Sequence, residues 1–215
     1  ARTNAQARDT GELVRWAQTL AEVQAATTRD PTPEVTTTGH SLGGTLAQIC
    51  AHRFGLRGET FNAYGAAGLD HGVPHDGGAV LNHVMAADVV SAVAPHYGQV
   101  RVYATQDEVR MLAGMLSRYD NDHGRFDERS PALAALRGLG SHGIHHFTGH
   151  DADGRPDRSV LDDPQSRLRA EYHAPMIQGY RGDLRVAHAA PRTGTGAVGL
   201  GDSLRGLLYA ADHAR

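Results

Sequence analysis

A serine, an aspartate and a group of histidines are the residues of this chain whose types and spacing could do chemistry. Ser41 lies in Gly39-His40-Ser41-Leu42-Gly43, a Gly-x-Ser-x-Gly stretch. A β-branched run, Val35-Thr36-Thr37-Thr38, precedes it, and Gly44 with a helical pattern over residues 45–51 follows. In a strand–turn–helix context this spacing is that of a nucleophile elbow. Small residues on either side let the strand and helix close on each other, and the serine hydroxyl stands beside the positive end of the helix. The competing reading is a chance Gly-x-Ser-x-Gly in an ordinary turn, which the flanking strand and helix patterns oppose.

A serine hydroxyl near neutral pH needs a histidine to take its proton and a carboxylate to hold that histidine. The order expected with this elbow is serine, acid, histidine. Asp88 is the strongest acid candidate. It directly follows a strand pattern and is flanked by Ala86-Ala87 and Val89-Val90, where an unpartnered carboxylate would be costly. A plain strand-end turn or helix cap is the alternative role for Asp88. Asp70 and Asp76 are weaker rivals in a hydrophilic loop. His142, His145, His146 and His150 all follow Asp88, and the residues alone leave the choice among them open. His83 and His96 flank the acid and read as surface or packing residues. The amide of Leu42 is the expected first oxyanion donor. The second would come from a loop after an earlier strand, either at Asp9-Thr10-Gly11 or on residues upstream of the chain's start.

The late histidines with Asp151 also invite a metal reading. Gly140, Gly143 and Gly149 work against a regular helix, and His-Glu-x-x-His is absent, so a catalytic metal is not expected. The Gly-rich stretches 65–68 and 194–201 match no phosphate loop.

The elements that must position these residues follow from periodicity. A helix is expected from a cap at Asp9 or Thr10 to about Thr27, after a frayed start. Asp30-Pro31-Thr32-Pro33 breaks it. Strands are expected at 34–38, 59–64, 79–85 and 99–104, with a helix from Leu42 stopped by Gly55. A helix is expected at 107–119, in which residues 111–119 could cover an apolar pocket. Further helices are expected at 131–139, 168–176 and 202–214, with an exposed loop at 151–163. Strands alternating with helices imply an α/β fold with a mostly parallel sheet and helices on both faces. In such sheets ligands bind beyond the carboxyl ends of the strands, where Ser41 and Asp88 both fall.

The chain has 215 residues, enough for one substantial core. Its net charge of −3 with histidines neutral gives no basic surface for nucleic acid. The 14 histidines would make it more cationic in mild acid. The single cysteine, Cys50, excludes an internal disulfide and reads as a small buried hydrophobe. No run has the length of a membrane span.

The run Thr38-Gly39-His40-Ser41-Leu42-Gly43-Gly44-Thr45-Leu46-Ala47 resembles the elbow of the class 3 (fungal-type) lipases. The resemblance continues at Thr60-Phe61-Asn62-Ala63-Tyr64-Gly65-Ala66 and at Asn82-His83-Val84-Met85-Ala86-Ala87-Asp88-Val89-Val90. In related bacterial lipase-like proteins the last triad member opens a His-x-Met/Ile-x-x-Tyr/Phe pattern. His142-Gly143-Ile144-His145-His146-Phe147 is similar to it, which selects His142 over His145 and His146.

The resemblance covers about residues 10–150. It implies an α/β-hydrolase-like core at 1–150, incomplete at its N-terminus for want of the early strands, and a C-terminal extension at 151–215. It further implies a Ser41–His142–Asp88 triad with the Leu42 amide in the oxyanion hole. The implied substrate is a lipid or phospholipid acyl ester, cut without a cofactor at a peripheral membrane surface. An N-terminal segment or partner chain would complete the sheet, in a secreted protein or as part of a larger bacterial one. The alternative is a catalytically inactive lipase-like domain that binds lipid or protein.

Overall fold

In the computed structural model the described residues are 6–69, 71–115 and 138–189. The order of elements is α1 (Gln6–Thr28), β1 (Thr36–His40), α2 (Ser41–Phe54), β2 (Arg57–Phe61), β3 (Val80–Met85), α3 (Val89–Ala92), β4 (Gln99–Tyr103) and α4 (Gln106–Met115). Two 3-10 turns, Gly138–His142 and Ile144–Phe147, precede α5 (Pro164–Tyr172) and α6 (Ala174–Ala189). The strands form one sheet in the order β1-β2-β3-β4. β1 pairs parallel with β2 from Thr36 opposite Arg57 to His40 opposite Phe61. β2 pairs parallel with β3 from Gly58 opposite Val80 to Phe61 opposite His83. This is a parallel α/β sheet with helices packed on it, an α/β-hydrolase-like arrangement.

Several elements differ in extent from the sequence expectation, for local reasons. α1 is already helical at Gln6, ahead of the cap expected near Asp9, in keeping with Gln6-Ala7-Arg8 as good helix formers. Thr10 instead bonds back to the Gln6 carbonyl at 2.7 Å. β2 stops at Phe61 because Asn62 turns to φ +44°, in the left-handed region. The Asn62 amide then donates to the His83 carbonyl. The helix expected at 168–176 is two helices, starting earlier, where Asp163 caps the first turn by accepting from the Gln165 amide with Pro164 between them, and running on to Ala189. α2 ends as expected, with Gly55 in the left-handed conformation at φ +64°. The expected helices at 131–139 and 202–214, the end of that at 107–119, and Asp70 lie wholly or largely outside the described residues.

The chain divides into two compact units, residues 1–83 with 94–101, and residues 84–93 with 102–215. In the first, α2 packs on β1 and β2, and α1 on α2. Ile49, Ala51, Ala66, Val73, Val80 and Tyr97 form its apolar cluster. Buried Gln48 ties the loops to that cluster: its carbonyl accepts from the Ala66 amide at 3.1 Å and the Tyr97 amide at 2.9 Å. Buried Asn82 accepts from Thr60 and donates to the Tyr97 and Gln99 carbonyls. Cys50 is buried and free. In the second unit α6 packs on α3, α4 and α5, and α3 also meets the first 3-10 turn. Leu112 and Leu184 are wholly enclosed there. Among the described residues no helix is long and apolar enough to cross a membrane.

The β1–α2 junction shows which glycines its tightness requires. Ser41 takes φ +55°, a conformation that costs a residue with a side chain about 1–3 kcal/mol unless its surroundings fix it. A Cβ on Gly39 would strike the Gly43 carbonyl group and come within 2.6 Å of the Gly44 nitrogen. A Cβ on Gly44 would lie 2.5 Å from the Ala63 Cβ and 2.9 Å from the Gly39 oxygen. A Cβ on Gly43 would meet nothing within 4 Å. The close packing attributed to both motif glycines therefore rests on Gly39 and Gly44, and Gly43 borders open space. Gly39→Ala and Gly44→Ala should each destabilise the protein by about 2 kcal/mol or more, whereas Gly43→Ala should fall within about 0.5 kcal/mol of the parent or stabilise α2 slightly. Denaturant unfolding of the three variants tests this, and equal losses at all three positions would contradict it.

Candidate active site

Ser41 opens α2 at the carboxyl end of β1. His40 before it keeps extended dihedrals, φ −108° and ψ 146°, and caps α2 with no side-chain bond. The first amides of a helix have no partner within it and point outward. The Leu42 amide is one of these, at the positive end of a 14-residue helix.

In the second unit, β3 runs into a tight turn with the Asp88 amide donating to the Met85 carbonyl. Asp88 then begins α3. Its carboxylate is wholly buried and takes three donors. Oδ1 accepts from the Val90 amide at 3.2 Å and from His142 Nδ1 at 3.0 Å, and Oδ2 accepts from the Ser91 amide at 2.9 Å. The helix-cap role weighed against the acid role is thus real, and the same side chain performs it while holding a histidine. Burial by itself raises the Asp88 carboxyl. The bond to and charge of His142, with the bonds to Ser91, outweigh it and leave the group below the ordinary carboxylate range. An ionised carboxylate only accepts, so His142 Nδ1 carries a proton and donates it to Asp88, which leaves Nε2 as the ring's other nitrogen.

His142 is itself buried, at the end of the first 3-10 turn. Gly138, which opens that turn, passes so close to the Ala87 carbonyl that a Cβ there would lie 2.5 Å from its oxygen. The other histidines turn elsewhere. His146 Nε2 donates to the Gly140 carbonyl at 2.9 Å, and its ring lies 4.1 Å from that of His145. Burial, then the neighbouring His146, lowers the His145 pKa. His83 is buried against Phe61 with Glu59 at 3.5 Å, and His96 Nε2 donates to the Ala63 carbonyl. Both are packing residues. Asp76 is exposed. Among the described residues no group of three or more His, Cys, Asp or Glu could hold a metal ion.

Sequence reading missed the residues that fix the acid's turn. Buried Glu108 on α4 accepts from the Ala87 amide at 3.0 Å and from the Thr105 amide at 2.9 Å. Tyr180 on α6 donates its hydroxyl to the Ala87 carbonyl at 3.2 Å. Arg181 beside it reaches the Met85, Asp88 and Ser91 carbonyls. The sequence signal for Glu108 and Arg181 was a charged residue at an inward-facing position of a helix; none marked Tyr180.

The buried carboxylate has a consequence for stability against pH. Its folded pKa lies below the unfolded value of about 3.9, so its contribution is complete above that value and is lost as pH falls through the folded one. Asp88→Asn should cost about 2 kcal/mol at pH 7, with the gap to the parent narrowing below about pH 4. Urea unfolding of both proteins between pH 7 and pH 3 checks the sign. A gap that widens in acid would contradict it.

Residues 10–68, which contain α1, β1, Ser41 and β2, match the sequence model of a known family, Lipase (class 3). No curated protein and no solved structure matches the chain. The matched segment ends before Asp88 and His142. It covers the elbow, whose left-handed serine and crowded glycines are described above, and that family is one of α/β-hydrolases that cleave esters. Over this segment the chain is similar to the class 3 lipases.

Proposed function

We propose that the protein is a serine carboxylic-ester hydrolase of the lipase or phospholipase A type, with Ser41 as nucleophile, His142 as general base and acid, and Asp88 as the acid that orients it. The observation that carries the reading is the hydrogen bond from His142 Nδ1 to an ionised, fully buried Asp88. It fixes the one tautomer whose Nε2 can accept a hydroxyl proton. The left-handed Ser41 at the start of α2 supports the same reading.

In this mechanism Ser41 Oγ attacks the ester carbonyl carbon as its proton passes to His142 Nε2. The C=O electrons move onto the oxygen, and the Leu42 amide at the positive end of α2 stabilises that oxyanion. Collapse breaks the C–O bond to the alcohol, which leaves with the proton from His142. Water then attacks the acyl-serine, His142 takes the water proton and returns one to Ser41 Oγ, and the fatty acid is released. Asp88 stays ionised throughout and steadies the imidazolium. No cofactor is needed.

The hydrolase core is taken as residues 1–150, and 151–215 as its extension. Lipid or phospholipid acyl esters are the substrate class proposed from the family, met at a membrane surface. β1, the strand that delivers Ser41, lies at an edge of the described sheet. Its main-chain groups there offer pairing positions to a further strand from an N-terminal segment or a partner chain.

The test is hydrolysis of p-nitrophenyl esters by the parent protein, Ser41→Ala and His142→Ala. Both variants should lose about a thousandfold or more in kcat, with the unfolding midpoint of Ser41→Ala near that of the parent. Equal activity in Ser41→Ala and the parent would overturn the assignment. Inactivity of the parent would favour the non-catalytic binding domain.

A further inference from the structure

The acid turn is bound by an arginine that pairs with no carboxylate in its hydrogen bonds. Arg181 is buried, and it sits among main-chain oxygens and the Ser91 hydroxyl. Nη1 donates to the Met85 carbonyl at 3.1 Å and to the Asp88 carbonyl at 3.4 Å. Nη2 donates to the Ser91 carbonyl at 2.9 Å and to the Ser91 hydroxyl at 3.2 Å. Enclosing a guanidinium is costly, and burial lowers its pKa to about 10, so it remains a cation at neutral pH. A cost of that kind calls for a return.

The three carbonyls belong to the residue before the acid's turn, to the acid itself and to the helix it caps. α3 has only four residues, so its carbonyls have no helical donors of their own, and a cation at its C-terminal end is favourable. Tyr180, one residue earlier on α6, closes the remaining position by donating to the Ala87 carbonyl. The same carbonyl oxygen limits how closely Gly138 and its turn, which carries His142, can approach. A Cβ on Gly138 would also lie 3.0 Å from the Tyr180 hydroxyl.

We propose that Arg181 and Tyr180 are positioning residues for the reaction: from one turn of α6 they hold the main chain on both sides of Asp88 so that its carboxylate stays aimed at His142 Nδ1. This rests on the triad reading above. It assigns to α6, which lies far beyond the family-matched segment, a part in catalysis through residues that need not touch substrate. Lysine could not replace the arginine. Its ammonium is a point charge, whereas the planar fork reaches carbonyls on opposite sides of the turn at once.

The experiment compares Arg181→Lys and Tyr180→Phe with Arg185→Met in the full chain. Among the described residues Arg185 holds the Ala92 carbonyl, at 3.0 Å, and serves as the packing control. Two readouts are taken: kcat and KM on a p-nitrophenyl ester, and the low-field proton NMR resonance of His142 Nδ1–H. Arg181→Lys should lower kcat about tenfold to a hundredfold with KM within about twofold, and should shift or lose the resonance. Tyr180→Phe should move both in the same direction by a smaller amount, roughly threefold in kcat. Arg185→Met should keep both.

An unchanged kcat and resonance in folded Arg181→Lys would overturn the proposal. If that variant does not fold, Tyr180→Phe decides, and parental kcat and resonance there overturn it equally. Failure of the triad reading looks different: activity would survive in Ser41→Ala, while the resonance, which depends only on Asp88 and His142, would still report on the clamp.

Discussion

One carboxylate, ionised and shut away from water, sets the terms for the second compact unit of this protein. Asp88 has no exposure, and burial works against its charge. The charge survives because two amides of α3 and a histidine donate to it at 2.9–3.2 Å. Every other feature of the turn follows from keeping those donors in place. Glu108 fixes the amide before it, Tyr180 and Arg181 fix the carbonyls around it, and a glycine lets the His142 turn come close. A carboxylate so surrounded is a poor base and a good orienting group, since its protonated form would lose bonds that the ionised form keeps.

The elbow obeys a steric constraint of the same severity. Ser41 stands in the left-handed region, and Gly39 and Gly44 have no room for a Cβ. Strain held at one residue by close packing on both sides pre-positions its side chain. Gly43, the second glycine of the Gly-x-Ser-x-Gly pattern, has open space at its Cβ position instead. The spacing of a motif and the crowding that explains it therefore need not fall on the same residues.

Local signals carried the fold a long way. The β-branched run before Ser41, the glycine after Phe54 and the apolar strand before Asp88 each mark an element within two residues of where it lies. They do so because the physics that ends a strand or a helix acts over a few residues. Legibility stopped where contacts are long-range. Arg181 meets Asp88 across 93 positions, and Tyr180 meets Ala87 across the same interval. No periodicity of α6 marks two of its residues as partners of a turn so distant. Asp88 shows the same limit from the other side. Cap and acid appeared as competing roles in the sequence, and only the geometry shows one carboxylate that caps α3 and accepts from His142 at once.

The central claim is that Ser41 is an activated nucleophile, and covalent trapping addresses it most directly. The full chain would be treated with a fluorophosphonate at neutral pH, then digested and analysed by mass spectrometry. The account predicts one adduct, on the peptide containing Gly39-His40-Ser41-Leu42-Gly43-Gly44 and localised to Ser41, formed fast in the parent and slowly in His142→Ala. A folded parent protein that takes up no label, or takes it up on another residue, would contradict it.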